Sequence, residues 1–87
     1  MRYTILIAPR AKKQIDELPP KIKEKIANAI EGLSLEPFLG KPLKAQLKGF
    51  YSYRVGNYRI IYDLVKHQLI IEIIKVMHRK DVYRQVI

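Results

Sequence analysis

Arg54 and Arg59 flank Gly56-Asn57, a dipeptide that favours a two-residue hairpin turn with positive φ. Counting outward from that turn pairs Val55 with Tyr58, Arg54 with Arg59, Tyr53 with Ile60, Ser52 with Ile61 and Tyr51 with Tyr62. Two guanidinium groups directly opposite each other on an antiparallel pair repel, at a cost of about a few tenths of a kcal/mol. Glu or Thr opposite Arg would hold the strands better. One account is that both side chains splay into water at little cost. The other is an anion site in which a phosphate bridges both cations. A second group follows an apolar run: His78, Arg79, Lys80 and Arg84, with Tyr83 among them.

Other chemistries lack their parts. No Glu and His share one face as acid and base. His67 and His78 are the only imidazoles and there is no cysteine, so metal catalysis has no support and no cofactor is expected. The two serines, Ser34 and Ser52, sit in no Gly-rich elbow, and no glycine loop could cradle a phosphate. Cations are what remains.

These residues need a scaffold. Tyr3–Ala8 is a short β-rich run that reads as a strand. Pro9 suits the first turn of a helix, and Ala11, Ile15 and Leu18 form its apolar stripe. Pro19-Pro20 ends that helix and opens a second, striped by Ile22, Ile26, Ala29, Ile30 and Leu33. Gly32, Pro37, Gly40 and Pro42 punctuate a connecting loop from about 34 to 46. From Phe50 the period changes to two, giving strands near Phe50–Val55, Tyr58–Val65 and Gln68–Met77, then a short helix or turn containing Asp81–Val86. The expected fold is α+β: a two-helix hairpin packed on a mostly antiparallel four-stranded sheet, in the order β-α-α-β-β-β with a short C-terminal helix. Tyr51, Tyr53, Val55, Tyr58, Ile60, Tyr62 and Leu64 share the face under the helices, leaving Arg54 and Arg59 on the other.

Length and charge narrow the class. Eighty-seven residues suit a single domain over 1–87. The absence of cysteine excludes a disulfide scaffold and points to a reducing cytoplasm. The apolar stretch at the N-terminus is too short for a signal-peptide core, and Leu69-Ile70-Ile71 is stopped by Glu72, so no membrane contact is expected. Seventeen Lys and Arg against eight Asp and Glu leave a charge of +9, which suits a polyanionic partner. The excess is concentrated: Lys41, Lys44, Lys48, Arg54 and Arg59 lie in the acid-free span between Glu36 and Asp63.

Val55-Gly56-Asn57-Tyr58-Arg59-Ile60-Ile61-Tyr62, followed by His78-Arg79-Lys80-Asp81-Val82-Tyr83 after a helical hairpin, resembles the RelE branch of the RelE/ParE toxin superfamily over essentially the whole chain. That resemblance implies a toxin of a type II toxin–antitoxin system that cleaves mRNA in the ribosomal A site and is neutralised by a small RelB-like antitoxin. Its implied catalytic residues are Arg59, Arg79 and Tyr83, with Arg54 where relatives carry a strand Lys or Arg. A further basic position of some members is occupied by Ser52, and Lys48 is placed to replace part of that charge. Lys48, Arg54, Arg59, Lys80 and Arg84 would hold RNA phosphates.

The implied reaction is attack of a 2′-hydroxyl on the adjacent phosphorus, leaving a 2′,3′-cyclic phosphate and a 5′-hydroxyl. Arg54 and Arg59 would stabilise the phosphoryl oxygens, and Arg79 would clamp the phosphate or support the leaving oxygen. Tyr83 would stack on a base and hold the nucleotide splayed; its alternative role is packing under Val82 and Val86. His78 is a candidate for proton transfer, or a surface residue at a strand end. Two other functions fit the same fold: a ParE-like inhibitor of DNA gyrase, which does not need the Arg/Tyr set, and an inactive paralogue that only binds antitoxin.

Overall fold

The protein is described by a computed structural model covering residues 1–82. The chain runs β1 (Thr4–Ile7), α1 (Pro9–Asp16), α2 (Pro20–Leu35), β2 (Lys41–Pro42), β3 (Phe50–Val55), β4 (Tyr58–Val65), β5 (Ile70–His78) and α3 (Arg79–Val82). Single 3-10 turns at Ala45–Leu47 and Lys66–Gln68 lead into β3 and β5. The sheet order is β1-β5-β4-β3-β2, with β1 parallel to β5 and every other pairing antiparallel. This is the expected α+β fold with one strand more. The fifth strand is β2, whose Lys41 and Pro42 pair with Ser52 and Tyr51 at the sheet edge. An edge is where a proline, with no N–H to donate, can join a ladder.

Prolines set the helix starts. Pro9 and Pro20 each sit in the first turn, and neither helix has a side-chain cap at its N-terminus. Ala11, Ile15, Ile26, Ile30 and Leu33 are buried against Ile60, Tyr62, Ile71, Ile73 and Val76 of the sheet. The expected stripes therefore form the core, with α2 running to Leu35, two residues into the anticipated loop. Beyond the end of β1, the N–H of Val76 donates to Gln14 Oε1 of α1 at 2.9 Å, so a helix side chain continues the satisfaction of β5.

Tyr62 clamps the loop after α2 onto the sheet. Its hydroxyl donates to the Pro37 carbonyl at 2.8 Å and accepts from the Gly40 N–H at 3.0 Å. Burial pushes its pKa up, so the phenol stays protonated and able to donate. A Cβ at Gly40 would collide with the Tyr62 hydroxyl, which is why that position takes glycine. Tyr51 stacks on Tyr62 with ring centroids 5.3 Å apart.

The β3–β4 hairpin has the register counted from Gly56-Asn57, with Arg54 opposite Arg59. Gly56 supplies the left-handed conformation at φ +58°. On β5 the phase changes: Tyr62 faces Ile73 but Ile61 faces Lys75, so Ile74 is an extra residue in a bulge. Ile71, Ile73 and Val76 consequently face the helices, while Glu72, Lys75 and Met77 face away from them.

Candidate functional site

The face turned away from the helices carries three cross-strand rows. Arg54, Arg59 and Met77 form one, Lys41, Ser52, Ile61 and Lys75 the next, and Phe50, Asp63, Glu72 and Leu6 the third. The opposed arginines diverge. Arg59 Nη1 donates to Ser52 Oγ at 3.2 Å, leaning one row inward, whereas Arg54 Nε donates to the Gly56 carbonyl at 3.1 Å, leaning toward the turn. Two hydrogen bonds in opposite directions thus resolve the repulsion that the register imposes.

The two basic segments meet at this end of the sheet. The N–H of Arg79 donates to the Asn57 carbonyl at 2.6 Å, joining the first turn of α3 to the hairpin turn beside Arg54 and Arg59. Arg79 and Lys80 are exposed there, and Lys48 is exposed in the turn before β3. Among the described residues none of Arg54, Arg59, Arg79, Lys80 and Lys48 pairs with a carboxylate; the ion pairs are Arg2–Glu31, Lys12–Asp16 and Lys23–Asp16, toward the helices. The described ion pairs thus offset charge on the helix side and leave these five cations without one. Tyr83 and Arg84 lie outside the described residues.

His78 sits differently. It is opposite Tyr58, with the rings edge to face at 5.0 Å, and alternation puts both on the helix side, across the sheet from Arg54 and Arg59. Its Nδ1 accepts from the Lys80 N–H at 3.2 Å, which assigns any proton of the neutral ring to Nε2. The ring's visible work is to hold the start of α3.

Lys41 and Lys75 on this face were not anticipated as site residues. Lys41 arrives through the two-residue edge strand, and Lys75, 5% exposed, through the bulge at Ile74. Asp63 and Glu72 oppose each other at the far side of the same face, and desolvation, then the Glu72 charge, raises the Asp63 pKa. Among the described residues no group of three His, Cys, Asp or Glu could hold a metal ion, and no helix is long and apolar enough to cross a membrane. Chemically the hairpin end offers fixed positive charge to a phosphodiester.

Fold and site together define a small toxin of the RelE/ParE type. The family described as "ParE toxin of type II toxin-antitoxin system, parDE" matches residues 5–83, and the chain belongs to that family. It is 37% identical over 87 residues to Toxin RelG of Mycobacterium tuberculosis, covering 98% of this chain and all of that one. The toxin–antitoxin complex RelBE2 of the same organism matches with a TM-score of 0.84 and 34% identity, over 91% of this chain and 100% of that chain. The RelB–RelE antitoxin–toxin complex of Methanococcus jannaschii matches with a TM-score of 0.71 and 28% identity, over 94% and 99%. The protein is the toxin of a type II toxin–antitoxin system.

Proposed function

We propose that the chain is a ribosome-dependent mRNA endoribonuclease whose activity a RelB-like antitoxin blocks. The observation that carries this reading is the joining of Arg54 and Arg59 to Arg79 through the Asn57–Arg79 hydrogen bond, at a surface with no carboxylate partner among the described residues. Bound mRNA places a scissile phosphate over Arg59 and Arg54. As the 2′-hydroxyl adds to phosphorus, charge grows on the non-bridging oxygens, and guanidinium groups already held in place stabilise it without reorganising. Arg79 clamps the phosphate, and Tyr83 stacks on a base to hold the in-line geometry. The reaction needs no cofactor or metal in this scheme.

The test is expression in a heterologous host with primer extension on translated messages. Wild type should arrest growth and cut mRNA on ribosomes, and Arg59→Ala should lower cleavage by about 10²–10³-fold. Arg79→Ala and Tyr83→Ala should weaken it as well. Arrest that persists in all three variants would overturn the ribonuclease reading, and arrest that comes with supercoiling defects and uncut mRNA would assign the chain to gyrase inhibition instead. Wild type that neither arrests growth nor cuts would make it an antitoxin-binding paralogue. The antitoxin should co-purify with the toxin and cover the Arg54/Arg59 face with acidic side chains.

A further inference from the structure

We infer that Ser52 is a positioning residue for Arg59: its buried hydroxyl fixes the guanidinium in the orientation that a reacting phosphate requires. The inference rests on the ribonuclease reading and deepens it. Ser52 is 6% exposed and lies in the row beside the Arg54–Arg59 pair. Its Oγ accepts from Arg59 Nη1 at 3.2 Å, and Arg59 is half-buried.

An unrestrained arginine samples many rotamers, and stabilisation of a transition state depends on charge being in place before the reaction. Arg54 cannot supply that restraint, because it repels Arg59 and is itself turned to the Gly56 carbonyl. Without the Ser52 acceptor, the repulsion would be relieved by Arg59 swinging toward solvent. A lysine at 52 would add charge but no acceptor, so serine here exchanges charge for orientation. The hydroxyl is too buried to meet substrate and acts only through Arg59.

The test compares wild type, Ser52→Ala, Ser52→Thr, Arg59→Ala, Arg59→Lys and the Ser52→Ala/Arg59→Lys double variant, measuring mRNA cleavage on purified programmed ribosomes. Ser52→Ala should lower the maximal rate about tenfold, with the ribosome concentration for half-maximal rate unchanged. Ser52→Thr, which retains the hydroxyl, should restore most of the rate. The double variant should be no slower than Arg59→Lys alone, because the bond from Nη1 is already gone. Ser52→Ala should also bind the antitoxin and melt as wild type does, which separates a positioning role from a structural one. If wild type leaves mRNA on programmed ribosomes uncut, the ribonuclease reading itself falls, and if Arg59→Ala cuts as well as wild type, Arg59 is not the cation the reaction uses and the Ser52 inference falls while the ribonuclease reading stands. If Arg59→Ala is inactive while Ser52→Ala matches wild type, or if Ser52→Ala loses rate and melting temperature together and Thr does not rescue it, only the Ser52 inference falls.

Discussion

Asp63 shows how a single side chain carries a strain that the sequence does not announce. It stands opposite Glu72 on the face away from the helices, its Oδ1 is buried, and no described hydrogen-bond partner reaches that oxygen. Desolvation raises its pKa, and the Glu72 charge raises it further. A carboxyl whose folded pKa exceeds its unfolded value of about 3.9 favours folding below that value and loses the contribution as pH rises through the folded pKa. Asp63→Asn should therefore melt with wild type in strong acid and above it at pH 7, the gap opening across the interval between the two pKa values. Glu72→Gln should move melting in the same direction by less, because desolvation is the larger cause. A thermal melting series from pH 3 to pH 7 checks both, and a gap that is constant with pH would contradict the assignment. Neither residue stood out in the sequence, since their opposition is counted from the connection through Lys66–Gln68 and Leu69, a 3-10 turn that carries no two-residue hairpin signature. Arg54 and Arg59, by contrast, were legible as a pair because a two-residue turn fixes the register by counting alone. Their divergence was not: it depends on rotamers chosen by Ser52 Oγ and the Gly56 carbonyl.

At the scale of elements, the helices and the hairpin follow from apolar period and from proline and glycine placement, and the structure has them within a residue or two. The two departures have one cause each. Strand β2 is two residues long and contains a proline, so it carries no period. The bulge falls in a run of isoleucines, Ile70, Ile71, Ile73 and Ile74, where nothing marks a phase change. It matters because Lys75 follows directly. With Ile74 counted as a regular residue, Lys75 would share the helix-facing side with Ile73; the extra residue returns it to the other face, opposite Ile61. Deleting Ile74 should consequently be tolerated. The shortened strand would pair Ile73 with Tyr62 and Lys75 with Ile61 as before, and Arg79 would still reach the Asn57 carbonyl. The expected cost is the lost burial of one half-buried isoleucine, at most about 2 kcal/mol, with a single cooperative transition. Urea denaturation followed by circular dichroism measures it. Loss of a cooperative transition would mean that Ile74 is part of the regular ladder.

At the scale of the whole molecule, the net charge of +9 is unevenly distributed, in number along the chain and in pairing across the fold. The helices expose Arg10, Lys12, Lys13, Lys21, Lys23 and Lys25, but Asp16, Glu17, Glu24 and Glu31 are interspersed with them, and the described ion pairs are on that side. The hairpin end exposes Arg54, Arg79 and Lys80 and half-buries Arg59, with no described carboxylate paired to any of them. Polyanion binding should therefore be sided. Each phosphate contact to single-stranded RNA contributes about −0.7 to the slope of log K against log salt. Arg54→Ala should flatten that slope by about one contact's worth, and Arg54→Ala/Arg59→Ala by about two. Lys12→Ala/Lys13→Ala, which removes as much formal charge from the helix side, should lower affinity slightly and leave the slope near wild type. Fluorescence anisotropy of a short labelled RNA, titrated from 50 to 300 mM potassium chloride, provides the comparison. Equal flattening by the helix-side and hairpin-side variants would mean that RNA responds to net charge alone, and that the hairpin end is no more than part of a uniformly basic surface.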